Sequence, residues 1–349
     1  MLRAAALAVI LARGATAASS GYYTNPLTQI DTPDPGVAYA PEDGLFYAVT
    51  TGGDPVNGAF TVRSSPDLAN WTTLAPAFPP GGVPKWAVDS FWAPELHRVG
   101  ATWVLIHTGR TAGGQLCVGV ATSASGRAAG PYADAIGAPL LQDPSGLGTI
   151  DATLFFDTDG RLYVLAKTDG NAVGRPTPIH IAELDAASNA TRFAPGESLA
   201  SFYASALITD TLAWENGIVE APWLVKFGQS YFLFYSGSGY DGPGIGISAY
   251  AVGVARAPSV RGPFTKFGPP VLANTTGADP HWQGPGHPSV LQSGDGTWAI
   301  VYHAWPGHVR SYGRHMMLDV VTWMPDGAGL PWPVVNGGQG PSTQAMPVP

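Results

Sequence analysis

Five segments of this chain repeat one pattern: a turn with glycine or a small polar residue, then an aromatic residue, then an apolar run. They contain Asp43-Gly44-Leu45-Phe46, Gly100-Ala101-Thr102-Trp103, Asp159-Gly160-Arg161-Leu162-Tyr163, Gly228-Gln229-Ser230-Tyr231 and Asp295-Gly296-Thr297-Trp298. With Phe46, Trp103, Tyr163, Tyr231 and Trp298 as markers, the steps are 57, 60, 68 and 67 residues. A further strand-like run follows each marker, at 60–64, 116–122, 179–184, 251–255 and 317–322. Short apolar runs bounded by Gly and Pro, returning at a nearly fixed period, build stacked β-sheets around an axis. Each unit has room for about four strands, which is one propeller blade. The spacing predicts an all-β, five-bladed β-propeller; a β-sandwich would need the turns to coincide by chance.

Composition agrees. With 45 Gly and 33 Pro in 349 residues, helical runs would break every few residues. The glycines show no period of three, which excludes collagen. Eleven Trp, 13 Tyr and 13 Phe against only 12% charged residues exclude a disordered chain. Seventeen basic and 25 acidic residues give a net charge of −8 without a basic cluster, so nucleic acid has no electrostatic footing. A neutral partner suits this surface better.

Met1-Leu2-Arg3, an apolar stretch over 4–12 and Ala15-Thr16-Ala17 have the form of a secretory leader, and no other stretch approaches the ~18 apolar residues of a membrane helix. The expected organisation is a leader at 1–17, a propeller at 18–330 and a Pro/Gly-rich tail at 331–349, either disordered or packed on the last blade. The chain is expected to be secreted and monomeric, with no membrane partner. Asn70, Asn189 and Asn274 are glycosylation acceptors. Cys117 is the single cysteine, so no internal disulfide can form, and its apolar surroundings mark it as a small buried hydrophobe.

Counting back from the markers exposes a constellation. Asp34 and Asp151 lie 12 residues before Phe46 and Tyr163, while Trp92, Glu220 and His287 lie 11 before Trp103, Tyr231 and Trp298. One slot in all five blades is thus expected to hold Asp34, Trp92, Asp151, Glu220 and His287. The innermost strands of a propeller line its central channel, so these side chains should converge at one end of it. Acids forced together in a partly dry site repel, and their pKa values part. Acid–base catalysis needs that split; a scaffold does not.

Thr32-Pro33-Asp34-Pro35-Gly36-Val37, Trp92-Ala93-Pro94-Glu95, Ile150-Asp151-Ala152-Thr153-Leu154-Phe155, Glu220-Ala221-Pro222 and Gly284-Pro285-Gly286-His287-Pro288-Ser289 resemble, in order, the blade motifs of glycoside hydrolase family 43. The resemblance runs from about Asn25 to Trp323. It implies a five-bladed propeller of the inverting arabinanase, arabinofuranosidase and xylosidase type, acting on a poly- or oligosaccharide. It implies Asp34 as general base, Glu220 as general acid, and Asp151 as the acid that tunes and orients Glu220. Arg314 matches a substrate-contacting arginine of the last blade. His287 matches the channel histidine, found in the family near water or a bound calcium; no cofactor is implied for the chemistry, and a structural Ca²⁺ in the channel stays an option.

An inverting glycosidase needs one protonated carboxyl at the leaving oxygen and one carboxylate activating water on the opposite face. Asp151 beside Glu220 is expected to raise the pKa of Glu220 by repulsion. Trp92, with Trp86 and Phe91 nearby, offers a flat face for a sugar ring. His303, His308 and His315 lack metal-site spacing and read as surface or channel-rim residues, and Gly242-Pro243-Gly244-Ile245-Gly246 reads as a loop. No Gly-x-Ser-x-Gly elbow, phosphate loop or His-Glu-x-x-His occurs. The expected activity is on α-L-arabinofuranosyl linkages of plant-type pentose polymers. β-Xylosides are the alternative within the fold, and a non-catalytic sugar-binding propeller the alternative outside enzymology.

Overall fold

A computed structural model of the chain describes residues 21–241, 246–277, 281–307 and 312–349. The leader expected at 1–17, His308 and residues 242–245 of the glycine-rich loop lie outside these. After a two-residue strand β1 (Tyr22–Tyr23), the first sheet comprises β2 (Gly36–Ala40), β3 (Leu45–Asp54), β4 (Gly58–Ser65) and β5 (Thr72–Phe78). The second holds β6 (Ala87–Val99), β7 (Thr102–Thr111), β8 (Leu116–Ser123) and β9 (Tyr132–Asp134). The third holds β10 (Gly148–Phe156), β11 (Leu162–Asp169), β12 (Ile179–Leu184) and β13 (Ala206–Ile208). The fourth holds β14 (Val219–Phe227), β15 (Ser230–Gly237), β16 (Ala251–Ala257) and β17 (Thr265–Lys266). The last holds β18 (Trp282–Gln292), β19 (Trp298–Pro306), β20 (His315–Pro325) and β21 (Pro331–Val335).

In every sheet the strands pair antiparallel in sequence order, and the first strands β2, β6, β10, β14 and β18 contact one another around the ring. The described residues therefore form a five-bladed β-propeller. The marker turns connect the two inner strands of each blade. At the first of them the Asp43 and Gly44 amides both donate to the Ala40 carbonyl, with Gly44 at φ +66°, where a Cβ is disfavoured.

Each blade is covered on both faces by its neighbours, which explains the continuous apolar runs. Val104, Ile106 and Val118 of the second blade pack with Leu154, Leu162 and Val164 of the third. Trp223, Phe232 and Phe234 of the fourth pack with Trp282, Ile300 and Tyr302 of the fifth. Cys117 is buried and free.

The C-terminal stretch belongs to the fold. Pro331–Val335 is the fourth strand of the last blade, so the boundary expected at 330 falls inside a sheet. A final strand β22 (Met346–Pro347) pairs with β1, Tyr22 opposite Pro347 and Tyr23 opposite Met346. The prolines of these two strands sit on sheet edges, where a missing N–H is tolerated.

Candidate active site

The first strands are not regular. Their pairing register jumps between Trp92 and Glu95, Ile150 and Thr153, Glu220 and Trp223, and Gly286 and Ser289. At each bulge one residue is left-handed: Ala93 (φ 44°), Asp151 (56°), Ala221 (50°) and His287 (55°), with Asp34 (53°) in the same state just before β2. Such backbone is uncommon outside glycine and persists only where the surroundings enforce it. Here a side chain enforces it at every blade. The amides of Ala93, Asp151 and His287 donate to Thr51 Oγ1 (2.7 Å), Thr108 Oγ1 (3.3 Å) and Ser236 Oγ (2.8 Å). That of Asp34 donates to His303 Nδ1 (3.1 Å), and that of Ala221 to Asp151 Oδ2 (3.2 Å).

The shared slot is therefore Asp34, Ala93, Asp151, Ala221 and His287, which corrects the expected set. Trp92 and Glu220 sit one residue earlier. Counting back from the aromatic markers drifts because the turns differ in length, with two residues between Val99 and Thr102 but five between Phe156 and Leu162. The bulge re-aims the chain, so residues at both positions reach the channel: Asp34, Trp92, Asp151, Glu220, His287 and Arg314 all line one cavity of about 330 Å³.

The three acids meet different partners. Asp34 Oδ1 lies 2.9 Å from Arg314 Nη1, 3.2 Å from His303 Nδ1 and 3.4 Å from His287 Nδ1. Burial alone would raise its pKa, but Arg314 first and then His287 hold it well below the ordinary carboxylate range. His303 Nδ1 accepts the Asp34 amide, so this imidazole is neutral, and burial pushes its pKa down to about 4. Asp151 is raised to about 7, by burial first and then by the Glu220 charge.

Glu220 moves the other way. Its Oε2 accepts from Lys167 Nζ at 2.8 Å, and its Oε1 from the Tyr250 hydroxyl at 2.7 Å. Burial would raise its pKa, but the ammonium and the hydroxyl outweigh burial and lower it. The expected direction is thus reversed: the repulsion between the two acids lifts Asp151, because the cation stands beside Glu220. Lys167 was not foreseen, although a lysine directly after the apolar run 162–166, in a chain with four lysines, was its visible signal. Tyr250, stacked on His303 at 5.7 Å, and Tyr240, whose ring lies 4.8 Å from the Arg314 guanidinium, were also missed; both line the cavity.

Of the three aromatics expected at the site, Trp92 alone lines the cavity, 36% exposed, with the Arg110 guanidinium 5.8 Å from its ring. Phe91 is 2% exposed and packs edge-on against Phe60 at 6.1 Å, so it belongs to the blade core and offers no face to a sugar. Alternation along the strand sends neighbours to opposite sides. Trp86 stacks on buried His107 at 5.8 Å. His303 is fully buried against Asp34, and His315 is buried with Nε2 3.0 Å from the Tyr312 carbonyl oxygen; neither is a surface residue.

A hard cation such as Ca²⁺ wants six or more oxygen ligands. The channel carboxylates of Asp34 and Glu220 are committed to Arg314 and Lys167. Among the described residues no three His, Cys, Asp or Glu side chains are grouped to hold a metal. These residues do not fit a protein-ligated calcium centre.

Residues 23–329 match the family model of the glycosyl hydrolases family 43. The chain belongs to glycosyl hydrolase family 43. It is 29% identical over 256 residues to a beta-D-galactofuranosidase, xynD, of Aspergillus niger, which covers 70% of this chain and 65% of that protein. It is 26% identical over 327 residues to a non-reducing end alpha-L-arabinofuranosidase of Bacteroides ovatus, covering 90% of this chain and 53% of that protein. The chain thus spans less than two thirds of either relative. The crystal structure of a thermostable family-43 glycoside hydrolase superposes with a TM-score of 0.77 at 27% identity, covering 94% of this chain and 99% of that one.

Proposed function

We propose that this family 43 member is an inverting glycosidase that cleaves α-L-arabinofuranosyl linkages in pentose-containing plant polysaccharide. The observation that carries the reading is the split among three carboxyls lining one cavity: Asp34 is held ionised, while Asp151 and Glu220 titrate as a pair whose last proton leaves near pH 7. Asp34 is the base. It takes a proton from water as that water bonds to the anomeric carbon on the face opposite the leaving oxygen. Glu220 takes the pair's proton from Asp151 and gives it to the departing oxygen as the bond from that oxygen to the anomeric carbon breaks. Asp151 holds the pair's proton in the free site and orients Glu220 through the Ala221 amide.

Trp92 supplies the flat face for the sugar, and Arg314 and His287 bind its hydroxyls while fixing Asp34. Two of the relatives are named as furanosidases, which favours a five-membered sugar ring over a xylopyranose. Secretion by the leader at 1–17 suits an insoluble polymeric substrate. Release of nitrophenol from the α-L-arabinofuranoside, β-D-galactofuranoside and β-D-xylopyranoside, alongside sugar release from arabinan and arabinoxylan, tests the assignment. The arabinofuranoside should be fastest. A faster xyloside would overturn the ring-size argument, and sugar binding without turnover on any of them would leave a binding module.

A further inference from the structure

The ring of bulges has one exception, and it falls beside Glu220. In four blades the second-strand residue that faces the bulge caps the next blade's left-handed amide: Thr51, Thr108, Ser236 and His303. In the third blade that position, opposite Ile150, is Lys167. An ammonium has no acceptor for an amide N–H, so the Ala221 amide turns to Asp151 Oδ2 instead. Lys167 is 1% exposed, with Nζ 2.8 Å from Glu220 Oε2 and 3.2 Å from Asp169 Oδ1. Desolvating an ammonium is costly, and a hydroxyl serves the fold at three of the other positions. The charge is therefore explained by what it does to its neighbours.

We propose that Lys167 is a positioning residue of the acid–base site: its ammonium fixes the Glu220 carboxylate and, by leaving the Ala221 amide to Asp151, decides which of the two carboxyls carries the proton. The assignment rests on the proposed acid–base roles only for its meaning in catalysis; the electrostatic arrangement stands without them. The groups facing Glu220 are Lys167 of β11, Asp151 of β10, Tyr250 ahead of β16 and His287 of β18, with Asp169 of β11 acting through Lys167 and Asp34 before β2 acting on Asp151. Removing the ammonium raises the proton affinity of both carboxyls. Removing Asp169, the competing anion, lowers it.

Carboxyl ¹³C NMR titration of wild type, Lys167→Met, Lys167→Arg and Asp169→Asn, with Glu220→Gln and Asp151→Asn for signal assignment, tests this without any substrate. Lys167→Met should move the Glu220 titration upward by about one pH unit or more, roughly a tenfold change in proton affinity. Lys167→Arg should keep it close to wild type, and Asp169→Asn should move it down. The alkaline limb of kcat/KM on the arabinofuranoside should follow in the same directions. A folded Lys167→Met with an unmoved Glu220 titration would overturn the proposal, as would Met and Arg variants that shift alike. Should the Met variant fail to fold, Asp169→Asn decides: a downward shift supports the role and an unmoved titration refutes it. Failure to cleave arabinofuranosides would instead strike the substrate assignment and leave these titrations readable.

Discussion

Asp34 is buried and Glu220 partly so, yet each owes its charge to a different cation: Arg314 for the first, Lys167 for the second. Two consequences follow for activity. Because Asp34 is held well below the ordinary carboxylate range, the acid limb of kcat/KM should lie at unusually low pH. The Asp151–Glu220 pair loses its last proton near 7, so activity should fall as pH rises through that value; a pH–rate profile reads both limbs. The two roles also separate by leaving group. Glu220→Gln should lose on the order of 10²–10⁴-fold on the polymer and much less on an aryl glycoside with an acidic phenol, since that oxygen departs without a proton. Asp34→Asn removes water activation and should lose similarly on both, which parallel assays of the two substrates will show. The acids themselves were legible in the sequence because they recur 11 or 12 residues before the aromatic markers of their blades. Their protonation was not, because Lys167 reaches Glu220 from 53 residues away and no local pattern announces that contact.

At the scale of the element, the four-strand blades were readable from period and turns, since those features are local. The slot was misread by one residue in two blades because bulge position depends on turn length and on a left-handed residue. Nothing in a side-chain pattern marks Ala93 or Ala221 as left-handed; the mark lies in the capping residue one blade earlier. That dependence is testable. Thr108 is fully buried and caps the Asp151 amide. Thr108→Val should leave that amide unsatisfied at a cost of about 1–3 kcal/mol, measured by urea unfolding, and should lower turnover as Asp151 loses its place. Gly286 makes the same point from the other side. A Cβ there would lie 2.0 Å from the Tyr250 ring, so alanine would push Tyr250 away from Glu220.

The whole molecule is closed by its ends. Asn25 donates to the Leu318 carbonyl (2.9 Å) and to Ser342 Oγ (2.8 Å), and the Ser342 amide donates to buried Asp319. Burial raises the pKa of Asp319 from 3.8 to about 6. The folded protein therefore binds this proton more tightly than the unfolded chain, and its contribution to stability is complete below pH 4 and lost as pH rises through 6. Asp319→Asn should be more stable than wild type at pH 8 by on the order of 2 kcal/mol, a difference that should vanish near pH 4 in urea titrations. The closed ring is also what sets Asp34 and Glu220 on different blades, the first and the fourth, rather than side by side on one strand. That separation is the core of the account, because inversion requires room for a water between base and sugar. Proton NMR of the first sugar released from an aryl arabinofuranoside reads the outcome directly. The account predicts that the new hemiacetal appears with inverted anomeric configuration before mutarotation. A product formed with retention would mean that Asp34 bonds to the sugar as a nucleophile, and would contradict the account.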